Sequence, residues 1–144
     1  MYHYTECGLP NVWLGNGYKF RKTSSGEMAV SIMDADELHI SIGRELAARP
    51  RLTGAGFRYL RKELGLSQHR LAEAVGASVE SVSLWERSGK IPKSADRIVR
   101  AMYLEKIDGN VQITKMIERL IELDNKPESK LVFEDTESGW RMAA

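Results

Sequence analysis

Apolar residues recur at helical spacing through the middle of the chain and fall into short, strand-like runs at its two ends. Near the start, Val12-Trp13-Leu14 and Tyr18-Lys19-Phe20 flank Gly15-Asn16-Gly17, a composition suited to a hairpin turn. Thr23-Ser24-Ser25-Gly26 then separates these from a third candidate strand, Met28-Ala29-Val30-Ser31-Ile32. Asp34, with Glu37 three residues on, predicts a capped helix with Leu38, Ile42 and Leu46 inward, ended by Arg49-Pro50. A second helix is expected from Thr53, with Phe57, Leu60 and Leu64 inward and Gly65 as its stop. Later, Ser94 is placed as the cap of a helix carrying Ala95, Ile98, Val99 and Met102, broken by Asp108-Gly109-Asn110. A further helix follows with Ile113, Met116, Ile117, Leu120, Ile121 and Leu123 as a broad apolar face. Beyond a linker at Lys126-Pro127-Glu128-Ser129, Leu131-Val132-Phe133 and Trp140-Arg141-Met142 read as two short strands around residues 135–139.

The rest of the chain is organised around Leu66–Pro92, which reads as helix, glycine turn, helix and basic loop. Ser67 caps the first of these helices, with Leu71, Ala72 and Val75 inward. The chain turns at Val75-Gly76-Ala77, where Gly76 can take the positive φ that side chains resist. Ser78 caps a second helix running to about Arg87, with Val82 and Trp85 on its inner face. Glu80, Ser83, Leu84 and Arg87 share the other face, and Val79 stands at its leading end. A short helix needs one buried stripe. A free stripe of mixed hydrogen-bonding and apolar groups suits a DNA major groove.

Length and charge refine this picture. A chain of 144 residues suggests one domain or two small ones, divided here as 1–50, 51–125 and a tail at 126–144. The fold class is α+β: a small β-rich module, an all-α five-helix domain and a terminal β-hairpin. Net charge is only +1, which says nothing for nucleic acid. Its distribution says more. Residues 53–104 hold nine basic against five acidic side chains, and 124–137 reverse the sign with five acids against Lys126 and Lys130. No apolar run is long enough to span a bilayer, no secretory leader is recognisable, and a single cysteine fits a reducing cytoplasm.

Leu66-Ser67-Gln68, Leu71-Ala72, Val75-Gly76, Val82, Trp85-Glu86, Gly89 and Pro92 together resemble the Cro/cI-like (XRE) helix-turn-helix regulators. That resemblance implies a lambda-repressor-like domain in which the glutamine opening the first helix anchors the DNA backbone and early residues of the second touch bases. It implies a backbone contact for Gln68 and reading positions at Val79, Glu80 and Ser83. Ser88 is an extra residue between Arg87 and Gly89, which alters the aim of Lys90. The candidate DNA-binding residues are Gln68, Ser78, Val79, Glu80, Ser83, Leu84, Arg87 and Lys90, weighed against an ordinary solvated face. Arg87 can grip guanine or a phosphate, Glu80 can accept from cytosine, and Val79 can pack on a thymine methyl. Glu86 is expected to pair with Arg58, Arg61 or Lys62 instead. One side chain bidentate to a base discriminates by only ~1–3 kcal/mol, so a homodimer on a palindromic operator is expected. The face of residues 113–123 is either its seam or an ordinary core helix.

No catalytic constellation, phosphate loop or cofactor site is recognisable, and the chain is not expected to be an enzyme. His3, Cys7 and His39 are too few for the four ligands of a structural zinc. The order of a β-rich module, a helix, a linker and a Leu-Ser-Gln helix-turn-helix resembles the MqsA-type antitoxins of bacteria. There the N-terminal module binds a toxin, a ribonuclease that cleaves messenger RNA, and the C-terminal domain dimerises and represses the operon in the cytoplasm at the nucleoid. Family members hold that module with a zinc on two cysteine pairs, whereas Tyr4-Thr5-Glu6-Cys7-Gly8 keeps one cysteine and Ser31-Ile32-Met33-Asp34 none. Apolar groups such as Tyr4, Trp13, Leu14 and Phe20 are expected to take over its folding role. A stand-alone or phage-type regulator, with a small-molecule-sensing or purely structural N-terminal module, is the alternative.

Overall fold

The structure is a computed structural model that describes residues 1–127 and 130–143, so part of the expected linker, Glu128 and Ser129, lies outside the described residues. Its N-terminal strands pair differently from the turn-based expectation. β1 (Tyr2–His3) runs antiparallel to β2 (Trp13–Leu14), with Tyr2 opposite Leu14 and His3 opposite Trp13. β3 (Tyr18–Lys22) instead pairs with β4 (Met28–Ile32), from Tyr18 opposite Ile32 to Lys22 opposite Met28. Gly15-Asn16-Gly17 therefore joins two separate ladders and is not a hairpin turn. The tight turn lies at Thr23–Gly26, where Gly26 has φ +85° and the Thr23 N–H donates to the Glu27 carbonyl at 2.8 Å. Pairing decides the matter. A five-residue partner offers β3 more ladder than residues 12–14 could, and the Trp13 ring is occupied in stacking on His3 at 4.0 Å.

Apolar packing in this module is also redistributed. Tyr4 and Leu14 are buried as expected, while Trp13 and Phe20 are more than half exposed. Leu9 is the residue that enters the main core.

α1 (Ala35–Ala48) follows without the expected cap: Asp34 lies in the left-handed region at φ +48° and its carboxylate makes no cap bond. The Asp34 carbonyl accepts from the Leu38 N–H at 3.0 Å, so the backbone starts this helix alone. Arg49 ends it in an extended conformation, as the following proline requires. α1 packs on the helical body across residue 50. The Tyr59 hydroxyl donates to the His39 carbonyl at 2.9 Å, and the Tyr103 ring lies over Gly43.

α2 (Gly54–Glu63), α3 (Gln68–Val75), α4 (Val79–Ser88), α5 (Lys93–Ile107) and α6 (Gln112–Asp124) complete the helical part. Leu52, Phe57, Leu60, Leu71, Val82 and Val99 are the largest fully buried side chains, drawn from the 52–99 stretch. Pro92 stands at the head of α5 and accepts from the Asp96 N–H at 3.0 Å, so Ser94 sits inside the first turn and is not its cap. A terminal hairpin, β5 (Phe133–Thr136) against β6 (Gly139–Met142), is exposed along both strands, with Phe133, Trp140 and Met142 on one face. The architecture is α+β, as the pattern of residues predicts.

Burial pushes the Tyr59 and Tyr103 hydroxyls above their ordinary ionisation range, with nearby Glu63 adding to both. In the unfolded chain they lose their protons near 10.0. Stability is therefore complete below that pH and falls as pH rises through the folded-state values. Thermal midpoints measured against pH are expected to stay level to about pH 9 and drop above about pH 10. Tyr59→Phe should flatten that drop.

Candidate nucleic-acid interface

Three side-chain caps set the helices that build the site. Thr53 Oγ1 accepts from the Gly56 N–H at 3.0 Å, Ser67 Oγ from Arg70 at 3.1 Å and Ser78 Oγ from Ser81 at 3.1 Å. Gly76 closes α3 at φ +71°, and the Ala77 N–H returns to the Ala72 carbonyl at 2.9 Å. This is the tight stop that lets α4 cross α3.

α4 is seated from beneath. Val82 is fully buried, and Trp85 meets Phe57 edge-to-face at 6.2 Å while remaining partly open to solvent. The start of α2 abuts the end of α4 so closely that a Cβ on Gly54 would lie 2.2 Å from the Glu86 carbonyl oxygen. That oxygen belongs to backbone and cannot rotate away. Gly54→Ala is therefore expected to push α4 off α2, costing about 1–3 kcal/mol or more. A denaturant midpoint equal to wild type would show that the two helices do not touch there.

An ion pair lies under the site. Arg61 Nε donates to Glu86 Oε2 at 2.7 Å and its Nη2 to Oε1 at 3.1 Å, with side-chain exposures of 9% and 5%. Arg61 Nη1 also donates to the Leu66 carbonyl at 3.0 Å. Of the three partners considered for Glu86, the structure selects Arg61. Gln68 joins this group: its Nε2 donates to Glu86 Oε1 at 3.2 Å, which holds the half-buried amide at the start of α3. Its carbonyl oxygen and second N–H have no protein partner among the described residues.

The outer row of α4 is open. Ser78, Glu80, Leu84, Arg87 and, beyond the helix, Lys90 are exposed, and Val79 and Ser83 are half-buried. Leu84 is 52% exposed, an unusual place for a leucine unless another surface meets it. Arg87 Nε donates to the Ser83 carbonyl at 3.4 Å, which lays its side chain along the row. Lys90 follows Gly89, whose φ of +74° turns the chain out of the helix, and the Lys90 N–H donates to Ser88 Oγ at 3.2 Å. The extra residue Ser88 thus forms the last turn of α4.

Two clefts bring in residues that sequence reasoning did not assign. Arg58, Arg61, Gln68, Ser83, Glu86 and Arg87 line a cleft of about 380 Å³, so exposed Arg58 stands beside Gln68 and Arg87. A larger one of about 690 Å³ is bounded by Arg51, Lys90, Lys93 and Arg97, all exposed, and by Asp96 and Arg100. Asp96 is committed inward, accepting from the Leu52 N–H at 2.9 Å and from Arg100 Nε at 2.5 Å. No carboxylate pairs with the four exposed cations among the described residues. The signal available earlier was the cluster Lys90, Lys93 and Arg97 along the chain; Arg51 joins it only in three dimensions.

The residues present do not fit a zinc site. Cys7 Sγ contacts the Tyr4 carbonyl at 3.2 Å, His3 Nε2 the Pro10 carbonyl at 2.6 Å and His39 Nε2 the Tyr4 hydroxyl at 2.8 Å. Each is used locally, and no group of three or more potential ligands converges among the described residues. No helix among them is long and apolar enough to cross a membrane.

Residues 57–100 match the family model described as helix-turn-helix. No curated protein and no solved structure matches the chain. The matched segment covers most of α2, all of α3 and α4 with the cleft at Arg58, Gln68 and Arg87, and the first half of α5; of the residues lining the basic cleft, Arg51 lies outside it. The match supports a DNA-binding helix-turn-helix of the XRE type in this segment.

Proposed function

We propose, from the helix-turn-helix at residues 57–100, that the protein is a sequence-specific repressor that binds a palindromic operator as a dimer. The carrying observation is the open row of α4, with Gln68 and Arg58 in a cleft beside it and, past its C-terminal end, four exposed cations that pair with no carboxylate among the described residues. α4 supplies Val79, Glu80, Ser83, Leu84 and Arg87 to base edges, where Leu84 adds an apolar contact of the kind a thymine methyl accepts. Ser78 and the free N–H groups beside it meet phosphate. Gln68, Arg58, Lys90, Lys93, Arg97 and Arg51 hold the backbone, which gives register without sequence preference.

Titration onto duplexes tests this. Gln68→Ala and Lys93→Ala are each expected to weaken binding to every sequence about equally, and the lysine variant should lower the salt slope by about 1. Affinity that does not respond to salt would overturn the reading.

The finer role proposed is that of antitoxin and autorepressor of a type II toxin–antitoxin operon, residues 1–50 engaging an mRNA-cleaving ribonuclease. It is supported by the order of modules and by aromatic side chains left open on the N-terminal strands, Trp13 at 55% and Phe20 at 56% exposed. Rescue of cells poisoned by a neighbouring ribonuclease tests it, and a chain that neither rescues nor binds that neighbour has another role.

One observation favours the small-molecule alternative. Tyr4, Cys7, His39, Tyr59, Arg58 and Lys62 line a cavity of about 320 Å³ between the N-terminal loop, α1 and α2. Arg58 also lines the cleft beside Gln68, so an occupant of the cavity would touch a residue proposed to bind DNA.

A further inference from the structure

The cavity between the N-terminal loop, α1 and α2 has a built shape and holds unpaired charge of both signs. Ala55, Arg58, Tyr59, Lys62 and Glu63 form one side of it, a single stripe of α2 by their helical spacing. Glu6 and Cys7 line it from a loop pinned at both ends, since Tyr4 and Leu9 are buried and the Gly8 N–H donates to the Thr5 carbonyl at 2.9 Å. A further wall is flat. The Tyr4 and His39 rings lie at 5° to each other with centroids 6.0 Å apart, and a 2.8 Å hydrogen bond between the Tyr4 hydroxyl and His39 Nε2 holds them so. Arg58, Lys62, Glu63 and Glu6 form no ion pair with one another or with any other side chain among the described residues. The volume of about 320 Å³ is at the lower end of small-molecule sites.

We propose that this cavity binds an α-amino acid with a planar side chain, and that the occupant loosens the chain's hold on DNA. The inference deepens the small-molecule reading above and rests on it, by naming the ligand class and the route of its effect. Charge narrows the occupant. A plain anion would leave Glu63 and Glu6 unanswered, and a plain cation would leave Arg58 and Lys62 so; a zwitterion answers both. Lys62 and Glu63 are adjacent, so opposite charges leave one turn of α2. That arrangement suits a carboxylate and an ammonium joined through a single carbon. The carboxylate goes to Arg58 and Lys62, the ammonium to Glu63, and the planar side chain stacks against Tyr4 and His39. Arg58 carries the effect outward. It also lines the cleft shared with Gln68 and Arg87, and one guanidinium cannot hold a ligand carboxylate and a DNA phosphate at once. Ligand and duplex therefore compete for it, and each weakens the other by the same factor.

Calorimetric titration of the full chain without DNA tests the site, with phenylalanine, phenylacetate and phenethylamine as probes. Phenylalanine should bind at least about threefold more tightly than either analogue, each of which lacks one charge. Glu63→Gln should erase its advantage over phenylacetate, and Lys62→Ala should weaken it while duplex affinity without ligand stays that of wild type. Saturating phenylalanine should then weaken wild-type binding to a duplex by at least about fivefold, and leave Arg58→Ala binding unchanged. No heat from any probe overturns the site, leaving DNA binding to its own titrations. An analogue that binds as tightly as phenylalanine overturns the zwitterion. Phenylalanine binding without a change in duplex affinity overturns the control through Arg58, and with it the sensing role. A chain that binds phenylalanine but no duplex keeps the site and sinks the repressor reading alone.

Discussion

Glu86→Ala is expected to lower the free energy of unfolding by about 3–5 kcal/mol, because it breaks a buried ion pair and leaves its partner charged. The carboxylate is the acceptor for two Arg61 donors and for Gln68, in a position where neither member of the ion pair is more than 9% exposed. Removing it leaves the guanidinium charged, because arginine does not give up its proton, with only the Leu66 carbonyl as a partner. Small domains are stable by about 5–15 kcal/mol, so such a loss is a large share of the total. The double replacement Arg61→Met with Glu86→Met should cost far less than Glu86→Ala, since it removes both charges and keeps the volume. Urea unfolding of the three proteins gives the comparison. A double variant as unstable as the single one would mean that the pair contributes through its own attraction and not through the penalty of an orphaned charge. Glu86→Ala should also free the Gln68 amide, so the surviving folded fraction should bind all duplexes more weakly.

The helix-turn-helix was legible because its signals are local. Ser67, Gly76 and Ser78 each act on backbone within three residues, and each does so in the structure. Thr53 belongs with them. Signals that depend on distant partners were not legible. Gly15-Asn16-Gly17 has a hairpin composition, but its flanking strands found longer or better-packed mates in β4 and β1. Asp34 has the right neighbour for a capping box, yet the chain arrives from β4 with a left-handed residue that turns the carboxylate away. Arg61 was seen as one of three cations near Glu86. Only the fold shows it buried, with a guanidinium spanning α2, the α2–α3 loop and α4.

The candidate site divides the same way. Positions on α4 follow from the helical period, so the open row agrees with the residues named from the sequence. The basic cleft does not follow from any period. Arg51 precedes α2 and Lys93 begins α5, and they meet because the chain after Gly89 folds back along the start of α2. For α6 the period gave one broad apolar face, and packing split it into a docked half and an open half.

Ser83→Ala combined with Arg87→Ala is expected to abolish preference for the operator while leaving the fold intact. Both residues lie on the outer row, Arg87 exposed and Ser83 half-buried, and neither makes a side-chain contact that supports the core. A guanidinium bidentate to guanine separates right from wrong base by about 1–3 kcal/mol. Lost from both copies of the proposed dimer, this lowers discrimination by at least about tenfold. Residual affinity should approach that for unrelated duplex, because Gln68, Arg58, Lys90, Lys93 and Arg97 keep the phosphate contacts. The probe is a duplex selected by the wild-type protein from a random pool, titrated beside a scrambled duplex at one salt concentration. Wild type should prefer the first, the double variant should not distinguish them, and their melting curves should coincide. If the variant keeps its preference, α4 does not read bases through this face. Leu84→Ala then separates the remaining cases: a loss of preference there moves the reading to the apolar part of the row, and none removes α4 from the groove.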